Sequence, residues 1–124
     1  MTAFHYLSGQ LQCDEVSLET VAERFGTPAY VYSRAAILEN YHRLASGLSQ
    51  IPSQICYSVK ANSSLRILRL LHEAGAGFDI VSGGELARVL RAGADPARVV
   101  FSGVGKTAKE IDAGLAASLL MFNV

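Results

Sequence analysis

Cysteine is scarce in the 124-residue sequence, which contains only Cys13 and Cys56, far apart and without CxxC spacing. Two such cysteines give neither a disulfide framework nor a zinc site. His5, His42 and His72 also lack the spacing of metal ligands. We therefore expect no bound metal and a location in the reducing cytoplasm.

Excess charge and long apolar runs are also missing. Lysine plus arginine equals aspartate plus glutamate at 11 each, which argues against a nucleic-acid or anionic-membrane partner reached through bulk charge. No apolar run approaches the ~20 residues of a membrane span. The first six residues have no basic region followed by an apolar core, so no secretory signal is expected. Apolar residues make up 50% of the chain, which suits one modest soluble domain.

The first third of the chain shows helical periodicity between short extended segments. Residues 4–13 are typical of an extended segment that turns at Ser8 and Gly9. A helix is predicted from Ser17, its cap, to Gly26, because the apolar residues between them recur at helical spacing. Residues 29–32 are strand-like, and Ser33 is expected to cap a second helix.

From residue 54 onward a strand-helix unit recurs about every 20 to 24 residues. The predicted strands are 54–60, 78–82, 99–103 and 119–124, and the predicted helices are 64–74, 84–92 and 108–117. Short apolar strands that alternate with helices predict an α/β fold with a parallel sheet. Three and a half units are fewer than a (β/α)₈ barrel of ~250 residues needs. A small open doubly wound sheet is the alternative, but we favour the front part of a longer barrel.

Lys60 stands where the first of these strands changes into a helix. Strand alternation would place it on the same face as Cys56 and Ser58, whose small side chains leave room. An amine at the carboxyl end of a strand is suited to forming a Schiff base. The alternative is an ordinary surface lysine at a strand end.

Asp79 interrupts an otherwise apolar strand, between Phe78 and Ile80. A buried carboxylate needs a partner, for which Lys60 on the neighbouring strand is one candidate. Alternatively, Asp79 lies at a strand edge and faces water.

Two glycine-containing turns also precede predicted helices. Residues 103–108 (GVGKTA) fail the phosphate-binding P-loop pattern, because Val100 stands where that motif needs glycine. They match a dinucleotide fingerprint only loosely, and a turn with a capping box at Thr107, leaving Lys106 in solvent, is the simpler interpretation. Residues 82–85 (SGGE) are likewise interpreted as a turn with a cap.

Several blocks together resemble the pyridoxal-phosphate-dependent decarboxylases of the alanine-racemase-like barrel family, also called group IV decarboxylases. Within that family the similarity is greatest to the diaminopimelate decarboxylases. It covers nearly the whole chain in order, in residues 16–19 (VSLE), 25–33 (FGTPAYVYS), 57–62 (YSVKAN), 77–86 (GFDIVSGGEL), 92–96 (AGADP), 101–107 (FSGVGKT) and 122–124 (FNV).

This resemblance implies that Lys60 carries pyridoxal 5'-phosphate covalently, and that Asp79 lies beside it and orients or balances it. It implies an N-terminal part of a (β/α)₈ barrel over residues 34–124, incomplete in this chain. Residues 1–33 would pack with a C-terminal β-domain that the chain lacks. The phosphate loops and the substrate-binding residues would also lie beyond residue 124.

The implied activity is decarboxylation of meso-2,6-diaminopimelate to L-lysine, with a small amino acid as substrate and a homodimer as the full-length assembly. The chain alone is expected to be inert. Three alternatives remain: another pyridoxal-phosphate-dependent decarboxylase of this fold, a non-catalytic cofactor-binding or regulatory relative, and a truncated product without a role.

Overall fold

The computed structural model describes residues 3–124, and contacts divide the chain into two compact units between Ser46 and Gly47. The first unit contains a three-stranded antiparallel sheet in the order β1-β2-β3. Its elements are β1 (Phe4–Leu7), β2 (Gln10–Cys13), β3 (Val16–Ser17), α1 (Leu18–Phe25) and α2 (Arg34–Gly47). The extended segment predicted for residues 4–13 is thus a hairpin, which turns at Ser8 and Gly9 with φ of 50° and 82°.

Two serines precede the helices of this unit, as predicted, but they act differently. Ser33 caps α2, because its hydroxyl accepts a hydrogen bond from the Ala36 amide at 2.9 Å and donates one to Asp14 at 2.6 Å. Ser17 precedes α1, yet its hydroxyl makes no capping bond. The strand predicted at 29–32 is wrong, since a strand requires a hydrogen-bonded neighbour and these residues have no ladder partner among residues 3–124.

The second unit is built on a four-stranded parallel sheet in the sequential order β4-β5-β6-β7. Its strands are β4 (Cys56–Ser58), β5 (Gly77–Ile80), β6 (Val99–Phe101) and β7 (Met121–Phe122), and its helices are α3 (Leu65–Glu73), α4 (Gly83–Arg91) and α5 (Ala108–Ala116). Each predicted strand-helix unit is therefore present. An open doubly wound sheet reverses its strand order, whereas the order here runs one way, as in a barrel.

Burial alternates along the central strands and separates the two faces of the sheet. Phe78 and Ile80 in β5, and Val99 and Phe101 in β6, are at most 1% exposed. Asp79 lies between the first pair and is only half-buried. Since alternate strand residues share a face, one face forms the apolar core and the other carries Asp79.

The described part of the chain contains no helix long and apolar enough to span a membrane. Both cysteines are free thiols. Cys13 is buried, and this burial raises the pKa of its thiol.

Glu110 connects the start of α5 to the start of α4. One of its carboxylate oxygens accepts hydrogen bonds from the amide and hydroxyl of Thr107, each at 2.9 Å, which completes the predicted capping box. The other oxygen accepts a hydrogen bond from the Gly83 amide at 2.8 Å. The Thr107 amide, the Gly83 amide and the Thr107 hydroxyl all lower the pKa of Glu110.

Replacing Glu110 with glutamine is expected to make the stability of the fold fall less steeply as the pH is lowered. Because its pKa is lower in the folded chain, Glu110 stabilises the fold above its ordinary pKa, and this contribution is lost as pH falls through the folded pKa. Melting temperatures measured from pH 7 to pH 3 should therefore fall less steeply for Glu110→Gln than for the wild type, from a lower value at pH 7. Glu73→Gln, an exposed change at the end of α3, is the control. An unchanged slope in Glu110→Gln would contradict the assignment.

Candidate active site

Lys60 lies at the carboxyl edge of the parallel sheet, but not inside a strand. β4 ends at Ser58, and Val59–Ala61 form a 3-10 turn that leads toward α3. The predicted strand 54–60 is therefore too long, and alternation does not place Lys60 on the face of Ser58. Val59 is fully buried and anchors the turn in the core, while Lys60 is exposed. The structure thus presents a primary amine on a fixed turn that small molecules in solution can reach.

Asp79 lies one strand away, as predicted, and is held by serines rather than by a lysine. In β5 it is in register with Ser58 of β4. The Ser58 hydroxyl donates to one carboxylate oxygen at 3.0 Å, and the Ser102 hydroxyl donates to the other at 2.5 Å. Among residues 3–124 neither Lys60 nor another cation forms an ion pair with Asp79. The suggested Asp79–Lys60 ion pair is therefore absent among these residues. The alternative, a strand-edge carboxylate that faces water, is also wrong, because Asp79 is half-buried and both its oxygens accept hydrogen bonds.

Asn123 and Lys106 extend these contacts to the end of the sheet. The Asn123 amide donates to the Ser102 hydroxyl oxygen at 3.0 Å. Lys106 donates to the backbone carbonyl oxygens of Gly103 at 2.6 Å and Asn123 at 2.5 Å, and its ammonium lies 5.7 Å from the centre of the Phe101 ring. Lys106 is half-buried, so the prediction that it lies free in solvent is wrong.

Both glycine-containing turns carry the helix caps that the simpler interpretation predicted. At 82–85, the Ser82 hydroxyl accepts from the Glu85 amide at 3.2 Å, and Glu85 accepts from the Val81 amide at 2.7 Å. The Gly83 amide is bound to Glu110, so a carboxylate of the chain itself occupies the start of α4, where an anion would bind. At 103–107, Gly103 has φ of +90°, a conformation that favours glycine.

Sequence patterns did not identify Ser102 and Asn123 as members of the site. Their positions in the sequence could have indicated them. Each directly follows an apolar strand, at the edge of the sheet where active sites of such folds form. Within residues 3–124 no group of three or more His, Cys, Asp or Glu is placed to hold a metal ion.

The residues at this edge fit pyridoxal phosphate in their chemistry. An aldehyde cofactor needs a reachable primary amine, and Lys60 supplies one from a turn fixed by buried Val59. The polar groups at the same carboxyl edge of the sheet are two hydroxyls, an amide and a carboxylate, while the apolar side chains Phe78, Ile80 and Phe101 are buried. The edge therefore combines a nucleophile with hydrogen-bonding groups.

Comparison with known proteins gives a consistent result. The model of the pyridoxal-binding domain of pyridoxal-dependent decarboxylases matches residues 34–124. Diaminopimelate decarboxylases of Pseudomonas aeruginosa and Pseudomonas fluorescens are 52% and 51% identical to the chain over all 124 residues, which correspond to 30% of each relative. The chain thus spans less than a third of the length of these relatives.

Solved structures agree with this match. A protein from Aquifex aeolicus aligns with a TM-score of 0.93 and 45% identity, covering 98% of this chain and 30% of that one. The diaminopimelate decarboxylase of M. jannaschii in complex with L-lysine aligns with a TM-score of 0.91 and 35% identity, with the same coverage. The parallel sheet and its helices correspond to the N-terminal part of the decarboxylase barrel, which is incomplete in this chain. The chain belongs to the pyridoxal-dependent decarboxylases, and its residues 34–124 match their pyridoxal-binding domain.

Proposed function

We propose that the chain is the N-terminal part of an enzyme that decarboxylates meso-2,6-diaminopimelate to L-lysine with pyridoxal 5'-phosphate. The observation that carries this proposal is about 50% identity along the whole chain to relatives named diaminopimelate decarboxylase. L-Lysine in the related structures from M. jannaschii and Helicobacter pylori fits the product of that reaction.

Lys60 is the residue that we assign to holding the cofactor. Its amine is exposed at the carboxyl edge of the sheet, so it can attack the aldehyde of the cofactor. When the amine is free of the cofactor, it can carry a proton at this edge. When bound, pyridoxal phosphate supplies the electron sink for the pair left behind as the α-carboxylate departs as carbon dioxide. Lys60 would be the group of this chain that supplies the proton which that carbon takes up. Asp79 is assigned to the cofactor site as a carboxylate that the hydroxyls of Ser58 and Ser102 hold in place.

The experiment that tests the activity is a fusion in which residues 1–124 replace the aligned segment of the Pseudomonas aeruginosa relative. We expect the fusion to release carbon dioxide from meso-2,6-diaminopimelate and to form L-lysine at a rate within about tenfold of that relative, because one half of the residues exchanged are identical. The 124-residue chain alone, spanning 30% of that relative, is expected to show no turnover.

The controls decide between this substrate and the alternatives. A lysine decarboxylase from Selenomonas ruminantium is 28% identical to the chain and aligns with a TM-score of 0.78. L-Lysine is therefore assayed as a competing substrate, together with L-ornithine. Faster turnover of either would favour another decarboxylase of this fold. A fusion that binds the cofactor without releasing carbon dioxide from any of them would favour a non-catalytic relative. The homodimer, the cytoplasmic location and the packing of residues 1–33 on a C-terminal β-domain stay predictions.

A further inference from the structure

The loop of residues 62–64, which joins the 3-10 turn to α3, is held by two side chains from different elements. The Tyr57 hydroxyl in β4 donates a hydrogen bond to the backbone carbonyl oxygen of Asn62 at 3.2 Å. The Arg88 guanidinium in α4 donates one to the carbonyl oxygen of Ser63, also at 3.2 Å. A strand and a neighbouring helix therefore both reach this loop, which we call the anchored loop.

The two carbonyl groups of the anchored loop lie outside the regular hydrogen bonding of α3. The backbone bonds of that helix begin with the Leu68 amide and the Ser64 carbonyl oxygen, 3.0 Å apart, so the carbonyls before Ser64 need other partners. The Asn62 side chain accepts a hydrogen bond from the Ser64 amide at 2.9 Å, which fixes the bend locally. Tyr57 and Arg88, 5 and 25 residues away along the chain from the carbonyls they contact, supply the missing partners.

Both donors stand on parts of the fold that packing holds in place. Tyr57 is half-buried and in register with Phe78, whose side chain is in the core. Arg88 has an exposed guanidinium, but its backbone lies between Leu86 and Val89 in α4, which are 4% and 0% exposed. The anchored loop is thus tied to a central strand and to a helix that cannot shift without disturbing the core.

We propose that Tyr57 and Arg88 are positioning residues, which set the orientation of the Lys60 amine by fixing the backbone two and three residues after it. The turn that carries Lys60 is only three residues long. Buried Val59 holds it on one side, and the anchored loop holds it on the other. Capture of the cofactor aldehyde needs the amine in a defined place, and this part of the proposal rests on the proposed function.

The first test needs no cofactor and measures backbone hydrogen exchange in the peptide that contains residues 60–65 of the fusion. Tyr57→Phe removes only a hydroxyl group and should speed exchange there about two- to tenfold, the range for losing one ordinary hydrogen bond. Arg88→Ala should act in the same direction. Tyr41→Phe, at another half-buried tyrosine, and Arg91→Ala, at an exposed arginine in the last turn of α4, are the matched controls and should leave this peptide unchanged.

The second test compares two reactions of the Lys60 amine in the fusion. The rate at which added pyridoxal phosphate is captured, followed by absorbance, should fall about two- to tenfold in Tyr57→Phe, in step with the lost hydrogen bond. Arg88→Ala should also slow capture, and Arg88→Lys, which keeps a cationic donor, should recover part of the rate. Acylation by a small reagent, measured by peptide mass spectrometry as the labelling of Lys60 relative to exposed Lys109, should not change, because an exposed amine can be reached in any orientation.

The outcomes separate the anchored loop from the proposed function and from general stability. If the wild-type fusion captures no cofactor, the proposed function fails, while faster exchange in Tyr57→Phe and Arg88→Ala still supports the anchoring. Unchanged exchange in the anchored loop, or equally faster exchange in β6, would overturn the proposal in either case. So would faster exchange with an unchanged capture rate, which would show a purely structural role. Capture that falls together with the labelling of Lys60 would also overturn it, because the amine itself would then have changed in reactivity.

Discussion

Replacing Lys60 with alanine is expected to abolish covalent capture of pyridoxal phosphate and to lower turnover of the fusion by about 10²–10⁴-fold, the range for losing a proton-transferring group. The reason is that no other lysine of the chain is placed to substitute. Lys106 is bound to two carbonyl oxygens, and Lys109 lies in the first turn of α5. Borohydride reduction followed by peptide mass spectrometry measures the capture, and the absorbance of the bound cofactor gives a second readout.

Two variants control for charge and for lysine chemistry in general. Lys60→Arg keeps the positive charge but not the nucleophile, because arginine does not deprotonate in proteins, so it should fail like Lys60→Ala. Lys109→Ala removes an exposed amine and should retain both capture and turnover. A reduced cofactor adduct found mainly on Lys106 or Lys109 in the wild-type fusion would refute the assignment of Lys60.

The alternation of strands and helices could be predicted because it depends on local periodicity and caps. Each strand predicted from residue 54 onward is present as a strand of the parallel sheet, and Gly26 ends α1 as expected. The edges of these elements were less predictable. β4 stops at Ser58 because Val59, buried in the core, begins a 3-10 turn, and the change from strand to turn there is decided by packing rather than by alternation.

The surroundings of Asp79 could not be predicted from sequence, although its strand could. Its serine partners are 21 and 23 residues away along the chain, and only the register between strands brings them together. The same holds for Lys106, whose carbonyl partner on Asn123 is 17 residues away. Residues 29–32 show the reverse case, in which strand-like composition has no neighbour to pair with among the described residues. Lys60 itself could be identified because the motif that contains it, residues 57–62, is contiguous in the sequence.

Replacing Phe101 with alanine is expected to destabilise the chain by about 3–5 kcal/mol, the range for truncating a buried aromatic residue. Phe101 has 0% exposure, and its ring stacks on Phe122 with the centroids 5.7 Å apart. Removing it leaves a cavity between β6 and β7 that the surrounding core cannot fill without shifting these strands. Because a domain of this size has a total stability of only about 5–15 kcal/mol, the variant should be partly unfolded in mild urea.

Urea unfolding followed by circular dichroism measures this change, since the chain has no tryptophan for fluorescence. Phe25→Ala is the matched control, because Phe25 is 71% exposed and its loss should cost about 0.5 kcal/mol or less. A loss below about 1 kcal/mol for Phe101→Ala would contradict the placement of its ring in the core. The site depends on this core as well: Phe101 also lies beneath Lys106, and the ring centre is 5.7 Å from the ammonium. Even in the folded fraction, Phe101→Ala should therefore loosen the contact that fixes Asn123, and it should raise the labelling of Lys106 relative to Lys109.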